Sequence, residues 1–392
     1  MNKKLGLAVA GALVAFASTA NAGITIPAGD WTVDIGGNVN AYYSNTNYSG
    51  DVFKGGKNAD IGSETGNTIS TGLLPSALGI GAKTRQNDLD IAVQFTFFTG
   101  VNASAGGSGA NDGNGAQGNS LNIRQAYMTF GDASWGTIKA GRDLGVFGSD
   151  AILSDMTLLG VGIGAGGAGS STLGRIGSGY AYADWMGQMT YQTPNWNGFQ
   201  VTAGIREPWA NQTQSEIGYQ GKATYDFAAN DVTGRVWLSG LSQKIDGNVD
   251  SRAFDIGAKI AYQGFGLVGY YYDGENLGIP ATGLSGITPL GGVLFAATGD
   301  TSGGYVQGTF VVPGVGTKLG ASWGTTNHKV GANGTSQAKN ETWIIGAYHP
   351  LTKSLNLVAE YTNSEITNYA SANGVNGDGE ARTASLGAIL FF

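Results

Sequence analysis

Catalytic chemistry has little to work with in this chain. It holds two histidines, His328 and His349, and no cysteine. Nucleophilic catalysis needs an activated nucleophile, and the sequence offers neither histidine an obvious Ser or Asp partner that would supply one. No catalytic, cofactor-binding or metal-ligating residues are therefore expected, no cofactor is called for, and the chain does not read as an enzyme. It offers instead single charges set among apolar residues. Arg124 lies beside Ile123, and Lys139 lies between Ile138 and Ala140. A charge placed this way, if its side chain meets water, attracts counter-ions and repels co-ions.

The elements that carry these charges follow from composition and period. Of 392 residues, 68 are Gly, 8 Pro, 8 Trp, 17 Tyr and 15 Phe, and 12% are charged. Each Gly inside a helix costs ~1 kcal/mol relative to Ala, which argues against a helix bundle. The glycines lack the period of three that collagen needs. A hydrophobic share of 41% excludes a disordered chain. Lys and Arg number 21 against 28 Asp and Glu, so the basic excess of a nucleic-acid binder is missing and no such partner is expected.

The first 22 residues read as an export signal. Lys3 and Lys4 form a basic start, Leu5 to Ala17 is an apolar run, and Ala20-Asn21-Ala22 is an A-x-A cleavage pattern. Cleavage would leave a mature chain of residues 23–392 and take the net charge from −7 to −9, since Lys3 and Lys4 depart. An exported chain without cysteine must find its stability elsewhere than in disulfides.

The mature chain alternates with period two. Leu89, Ile91, Val93, Phe95 and Phe97 interleave with Asp90, Ala92, Gln94, Thr96 and Phe98. Successive strand side chains point to opposite faces, so such a segment has one apolar and one polar face. Sixteen strands are predicted, near 31–43, 73–84, 89–100, 120–131, 136–143, 178–191, 199–207, 216–226, 232–243, 251–262, 265–273, 303–312, 317–326, 338–350, 355–367 and 380–392. Two charge-free stretches, Met156–Gly174 and Asn276–Gly299, are broken by Gly or Pro and read as loops. Seven short turns alternate with eight longer connections rich in Gly, Ser, Asn and Asp. An even strand count, short turns, long loops and ~10-residue amphipathic strands are the signature of an outer-membrane β-barrel. A soluble sandwich also alternates. The apolar faces here carry no charge in mid-strand, and Trp135, Tyr191, Trp196, Tyr225 and Tyr262 gather at strand ends, as aromatic rings do at a lipid interface. The predicted fold is an all-β, 16-stranded antiparallel transmembrane barrel whose outward partner is outer-membrane lipid.

The opening strand WTVDIGGNVNAYY, the strand–turn–strand YMTFGDASWGTIKAGRD and the closing TASLGAILFF ending in Phe392 carry a resemblance over the whole mature chain. It resembles a general porin of Gram-negative bacteria, of the trimeric betaproteobacterial and neisserial type. The resemblance implies passive diffusion of ions and small hydrophilic solutes, a third loop folded into the lumen, a homotrimer, and reading of the Phe392 end by the barrel-insertion machinery. It also implies a weak preference for anions.

Strand parity sorts the lumen charges. Lys83, Arg124, Lys139, Arg206, Lys222, Arg235, Lys259 and Lys318 fall on inward positions, with Asp34, Asp90, Asp184, Asp255 and Glu360. Arg142 shares the parity of Ile138 and Ala140, which face outward. The resemblance places an Arg of this Gly-Arg pair at the pore wall, which would take a bulge at Gly141. The third long connection, 144–177, is by its place the constriction candidate. Its acids Asp143, Asp150 and Asp155 would face Lys83, Arg124, Lys139 and Arg142 across the opening and set a transverse field. The alternative is that these acids merely solvate a surface loop. The expected function is a water-filled channel for passive diffusion. A substrate-selective channel on the same fold is the runner-up, since Tyr42, Tyr182 and Tyr272 could line a lumen. One Gly-rich stretch, Gly106–Asp112, has a faint likeness to a calcium-binding repeat, but no stacked copy accompanies it.

Overall fold

The structure, a computed structural model, describes residues 23–51, 65–101, 121–164, 171–208, 216–245, 249–277, 299–330, 336–370 and 376–392. The export signal and the Gly106–Asp112 stretch lie outside the described residues.

Eighteen strand segments form one sheet: β1 (Ile24–Ala28), β2 (Trp31–Gly50), β3 (Thr65–Ser70), β4 (Ser76–Gln86), β5 (Leu89–Thr99), β6 (Asn122–Asp132), β7 (Gly136–Leu144), β8 (Trp185–Gln192), β9 (Phe199–Arg206), β10 (Gly218–Ala229), β11 (Val232–Ile245), β12 (Val249–Tyr262), β13 (Phe265–Glu275), β14 (Asp300–Val311), β15 (Lys318–Val330), β16 (Ser336–Pro350), β17 (Leu355–Ala370) and β18 (Asn376–Phe391). β3 and β4 pair with successive halves of β2 and together make one spanning strand. β1 pairs with the first residues of β2 alone, from Ala28↔Trp31 to Ile24↔Ile35. The described residues thus form a closed barrel of sixteen antiparallel spanning strands, with β18 returning to β2 from Gly379↔Gly50 to Phe391↔Asn38.

The short turns are where the residue types place them. Asn87 and Asp88 both take positive φ, 48° and 63°, the twist of a two-residue hairpin. Gln263 and Gly264 do the same at 44° and 86°. At the other end the strands run further than the alternation shows. β2 continues to Gly50 and β17 to Ala370, because polar residues there still pair along the ladder. The segment 178–191 is shorter than expected: residues 178–184 belong to the third loop and β8 begins at Trp185.

The two faces separate as the alternation requires. Phe95, Met128, Met189, Ile256, Leu267 and Leu386 stand exposed on the outside. Their neighbours Gln94, Thr96, Tyr127, Thr129, Gln188 and Thr190 are buried on the inside. An aromatic rim of Trp135, Tyr191, Trp196, Tyr225, Tyr262 and Phe265 is exposed near the short turns. In hydrocarbon an unpaired backbone group costs several kcal/mol, so a barrel must leave no open edge. Here β18 covers β2 from Asn38 upward, β1 covers it below Ile35, and Phe392 closes the gap between them. Gly37 donates to the Phe392 carbonyl at 2.9 Å, and Phe392 donates to the Gly37 carbonyl at 3.1 Å.

This seam has no room for a side chain at Gly37. A Cβ there would stand 2.1 Å from the Ala77 carbonyl oxygen and 3.0 Å from the Phe392 ring. Gly37→Ala is expected to destabilise closure by about 1–3 kcal/mol, the range for overpacking a tight site. Heating in detergent, followed by the mobility shift of the folded barrel on a gel, checks this. A variant that unfolds at the parent temperature would show that the seam tolerates the methyl.

Candidate functional site

The described residues of the third loop, 145–164 and 171–184, leave β7, enter the lumen and return to β8. The loop contains a short helix, α1 (Ser149–Ser154), and a 3-10 turn, Met156–Leu159. Its apolar content explains why it turns inward. Phe147, Ala151, Ile152, Leu158, Val161 and Ile163 are buried in one cluster with the inward aromatics Tyr42, Trp237, Tyr270, Tyr305 and Tyr348. A side chain of this kind contributes about 1.5–3 kcal/mol when fully buried.

An irregular segment inside a barrel must find partners for its backbone groups, and the wall supplies them. Gln220 of β10 accepts from Val146 N at 2.9 Å, and Asp255 of β12 accepts from Gly148 N at 3.0 Å. Tyr305 of β14 donates to the Ala151 carbonyl at 2.8 Å, and Gln307 accepts from Met156 N at 2.7 Å. Tyr42 of β2 donates to the Leu159 carbonyl at 2.8 Å. One oxygen of Glu360, on β17, accepts from both Val161 N and Gly162 N, at 2.9 and 2.7 Å, while Tyr348 donates to the other at 2.6 Å. These tethers follow the wall from β10 round to β2. None of these tethers comes from β4 to β7.

The acids of this region are each paired. Asp150, on α1, meets Lys222 of β10 at 2.6 Å and Arg235 of β11 at 3.0 Å, and Arg235 also grips Asp226 at 2.6 Å. Asp155 accepts from Thr157 N at 2.9 Å and from the Tyr180 hydroxyl at 2.7 Å. Burial, then the charge of Asp155, pushes the Tyr180 phenol well above its ordinary value, so it remains a donor. Asp143 lies on β7, in the wall rather than in the loop, where it joins Lys139 at 2.5 Å and Gln125 at 2.8 Å. Asp150 and Asp155 are each 4% exposed, so neither is an open charge on a solvated surface.

The basic residues divide differently from the expectation. Lys139 sits on the inner face of β7, paired to Asp143 and 4.8 Å from the Tyr127 ring. Lys83 lies close to the Asn87-Asp88 turn and pairs with Asp34 at 2.7 Å. Arg124 is buried, its guanidinium 4.8 Å from the Phe98 ring and 5.9 Å from the Trp185 ring. The register slips between Thr96 and Phe97, opposite Arg124, so Arg124 and Gln125 both turn inward. At Gly141 the expected bulge is absent: the ladder passes from Tyr127↔Gly141 to Ala126↔Arg142 without a shift, although Gly141 has φ +130°. Arg142 stays in register between Ala126 and Gly187, two small residues. Asp184 is in the loop, not on a strand, with φ 59°.

Arg175 is a site residue that the sequence reading passes over. It is fully buried, and it donates to Ser322 Oγ at 2.6 Å and to the Thr342 carbonyl at 3.1 Å. The signal for it is a lone cation directly after the charge-free stretch that ends at Gly174.

A closed sixteen-strand barrel with a tethered inner loop is the architecture of a diffusion channel. A family model described as Gram-negative porin matches residues 8–369. The chain belongs to the Gram-negative porins. No curated protein matches it. Among solved structures, the anion-selective porin from Comamonas acidovorans is similar at TM-score 0.61 and 16% identity, over 92% of this chain and 100% of that one. OmpF of Salmonella typhi, in complex with daunomycin, gives TM-score 0.58 at 15% identity, covering 94% and 100%. The trimer form of in-vitro folded OmpT of Vibrio cholerae gives 0.56 at 15%, covering 92% and 99%. At these identities the likeness is one of fold. This porin is an outer-membrane protein, and its barrel is a channel for passive diffusion.

The ion pair at Asp150 makes loop docking depend on pH. Burial pushes its carboxyl up, but the charges of Lys222 and Arg235 outweigh burial and hold it at about 2. This lies below the unfolded value of about 3.9, so the pair's contribution, about 2 kcal/mol, is complete above that value and is lost as pH falls through 2. Single-channel current noise is expected to stay level from neutral pH to pH ~4 and to rise below it. Asp150→Asn should remove that rise. A rise that persists in Asp150→Asn would assign it to another acid.

Proposed function

We propose that this porin passes ions and small hydrophilic solutes down their gradients with a weak preference for anions. The opening between loop 3 and the β4–β7 wall is the conducting section. Residues 1–22 are cleaved on export, the Phe392 end is read by the insertion machinery, and the working form is a homotrimer, as in the trimer form of the Vibrio cholerae OmpT.

The observation that carries the preference is the pairing of the lumen charges. Asp150 is neutralised by Lys222 and Arg235, while Asp155 keeps its charge but is buried, held by the Tyr180 phenol and Thr157 N. Asp255 and Glu360 are likewise occupied with loop N–H groups and hydroxyls. Two inward cations, Lys259 of β12 and Lys318 of β15, have no ion pair within the described residues. Lys318 rests instead 4.6 Å from the Tyr348 ring. The acids without an ion pair are buried while the two lysines are only half-buried, so a mobile ion meets the cations first, which favours anions. The transverse field first expected between loop acids and the basic wall gives way, in this reading, to a field set by these two lysines, since Lys83 and Lys139 are neutralised by Asp34 and Asp143 and Arg142 keeps the outward register. Tyr42, Tyr182 and Tyr272 do not favour a substrate-selective channel, because all three are buried and their hydroxyls engaged.

Planar-bilayer recording in a salt gradient tests the reading. Stepwise conductance is expected, with a reversal potential on the anion side. Lys259→Glu combined with Lys318→Glu should move that potential to the cation side. Absence of steps would end the channel reading, and an unmoved potential would end the role of the two lysines.

A further inference from the structure

Among the described residues the wall departs furthest from its ladder between β3 and β4. Between Asn38↔Ala77 and Tyr42↔Ser70, β2 contributes three residues, 39–41, while the facing chain contributes six, 71–76. The surplus turns into the barrel. Thr71, Gly72, Leu73, Leu74 and Pro75 are all buried. Asn40 of β2 braces the excursion from the wall side. Its amide donates to the Leu74 carbonyl at 2.8 Å, and its carbonyl oxygen accepts from Gly72 N at 2.9 Å. On the other side the excursion meets loop 3 at two points. Leu73 N donates to the Gly160 carbonyl at 2.9 Å, and Thr172 N donates to the Gly72 carbonyl at 3.3 Å. Leu73 and Leu74 share the apolar cluster of Leu158, Ile163 and Leu173.

We infer that the in-turned segment 71–75 is a second constriction element, which latches the far end of loop 3 and thereby sets the cross-section of the passage. This rests on the porin reading. The start of loop 3 is held by Gln220, Asp255 and the Asp150 pairs, and its middle by Gln307 and Glu360. Segment 71–75 takes both strands of the loop's return, at Gly160 and Thr172, which no straight wall strand could reach. It does so with backbone groups, which would be orphans in the lumen if the loop withdrew. Gly72 is what allows the approach. A Cβ there would lie 2.0 Å from the Gly160 carbonyl oxygen and 2.8 Å from the Tyr42 ring. Because the segment carries no charge, it governs size and leaves ion preference alone.

The test compares Gly72→Ala, Asn40→Ala, Leu73→Ala and the conservative Leu73→Ile with the parent, each first shown to be a folded barrel by its gel mobility. Liposome swelling in sugars of increasing size gives the size limit, and bilayer recording gives conductance and reversal potential. In Gly72→Ala and Asn40→Ala the size limit is expected to rise and the conductance to increase by about half to twofold, with the reversal potential unchanged. Leu73→Ala should move the same way by less, and Leu73→Ile should match the parent. Parent size limit and conductance in folded Gly72→Ala and Asn40→Ala would overturn the inference. If Gly72→Ala yields no folded barrel, Asn40→Ala and Leu73→Ala decide it alone. A parent protein that does not conduct would sink the porin reading itself, a separate outcome.

Discussion

Hydrocarbon offers no hydrogen bonds, and the rest of this structure depends on that. Every backbone N–H and C=O at membrane depth must be satisfied within the protein. A sheet achieves this only if it closes, and closure forces each strand to show one face to lipid and the other to the lumen. The alternation of Gln94, Phe95 and Thr96, or of Gln188, Met189 and Thr190, is the residue-level form of that demand. The seam at Gly37 and Phe392 is another, because β18 alone does not reach the bottom of β2 and the short β1 completes the edge.

The same demand governs the lumen, with a different solution. Loop 3 has no ladder of its own, so its backbone groups are met one at a time by inward side chains. This explains why acids are useful there. A carboxylate that accepts two or three hydrogen bonds from N–H and O–H donors can stay buried without an ion pair, as Glu360 does with Val161, Gly162 and Tyr348. Asp255 does the same with Gly148, Ser239 and Tyr270. Asp150 takes the other route and is balanced by Lys222 and Arg235. Inward acids in this barrel act chiefly as anchors.

Parity made the walls legible in the sequence. The side-chain period of a strand is two, so a correct strand assignment also tells which residues face inward, and Lys139, Lys222, Arg235, Asp255 and Glu360 all lie where alternation puts them. Parity cannot say which inward groups meet. Asp150 is paired with cations on β10 and β11, 72 and 85 residues away, and nothing local distinguishes them from Lys139 or Lys83. The interruptions of the ladder were equally hidden. The segment 71–75 straddles the end of a long connection and the start of the predicted strand 73–84, β1 is too short to show a period, and Arg142 follows the ladder although a bulge was expected at Gly141. Arg175 was missed because a loop has no parity to expose it.

Selectivity in such a molecule is decided by which charges remain unpaired near the opening, and the net charge of the chain is a poor guide to it. The full chain carries −7, yet inside the barrel Asp34, Asp143, Asp150 and Asp226 are each neutralised at short range by Lys83, Lys139, Lys222 or Arg235. A paired charge presents a dipole whose field falls off faster than that of an isolated ion. At physiological salt, charges beyond ~8 Å are largely screened where water reaches them. Acids on outer loops therefore weigh little against a single unpaired lysine in the lumen. A substitution that frees one anchoring acid would change the pore twice, by releasing its hold on loop 3 and by adding an anion to the passage. Exchanging a lumen lysine that anchors nothing would alter the field alone. The fold separates these effects residue by residue: Gln220, Asp255, Gln307 and Glu360 anchor the loop, while Lys259 and Lys318 on the same wall hold no ion pair among the described residues.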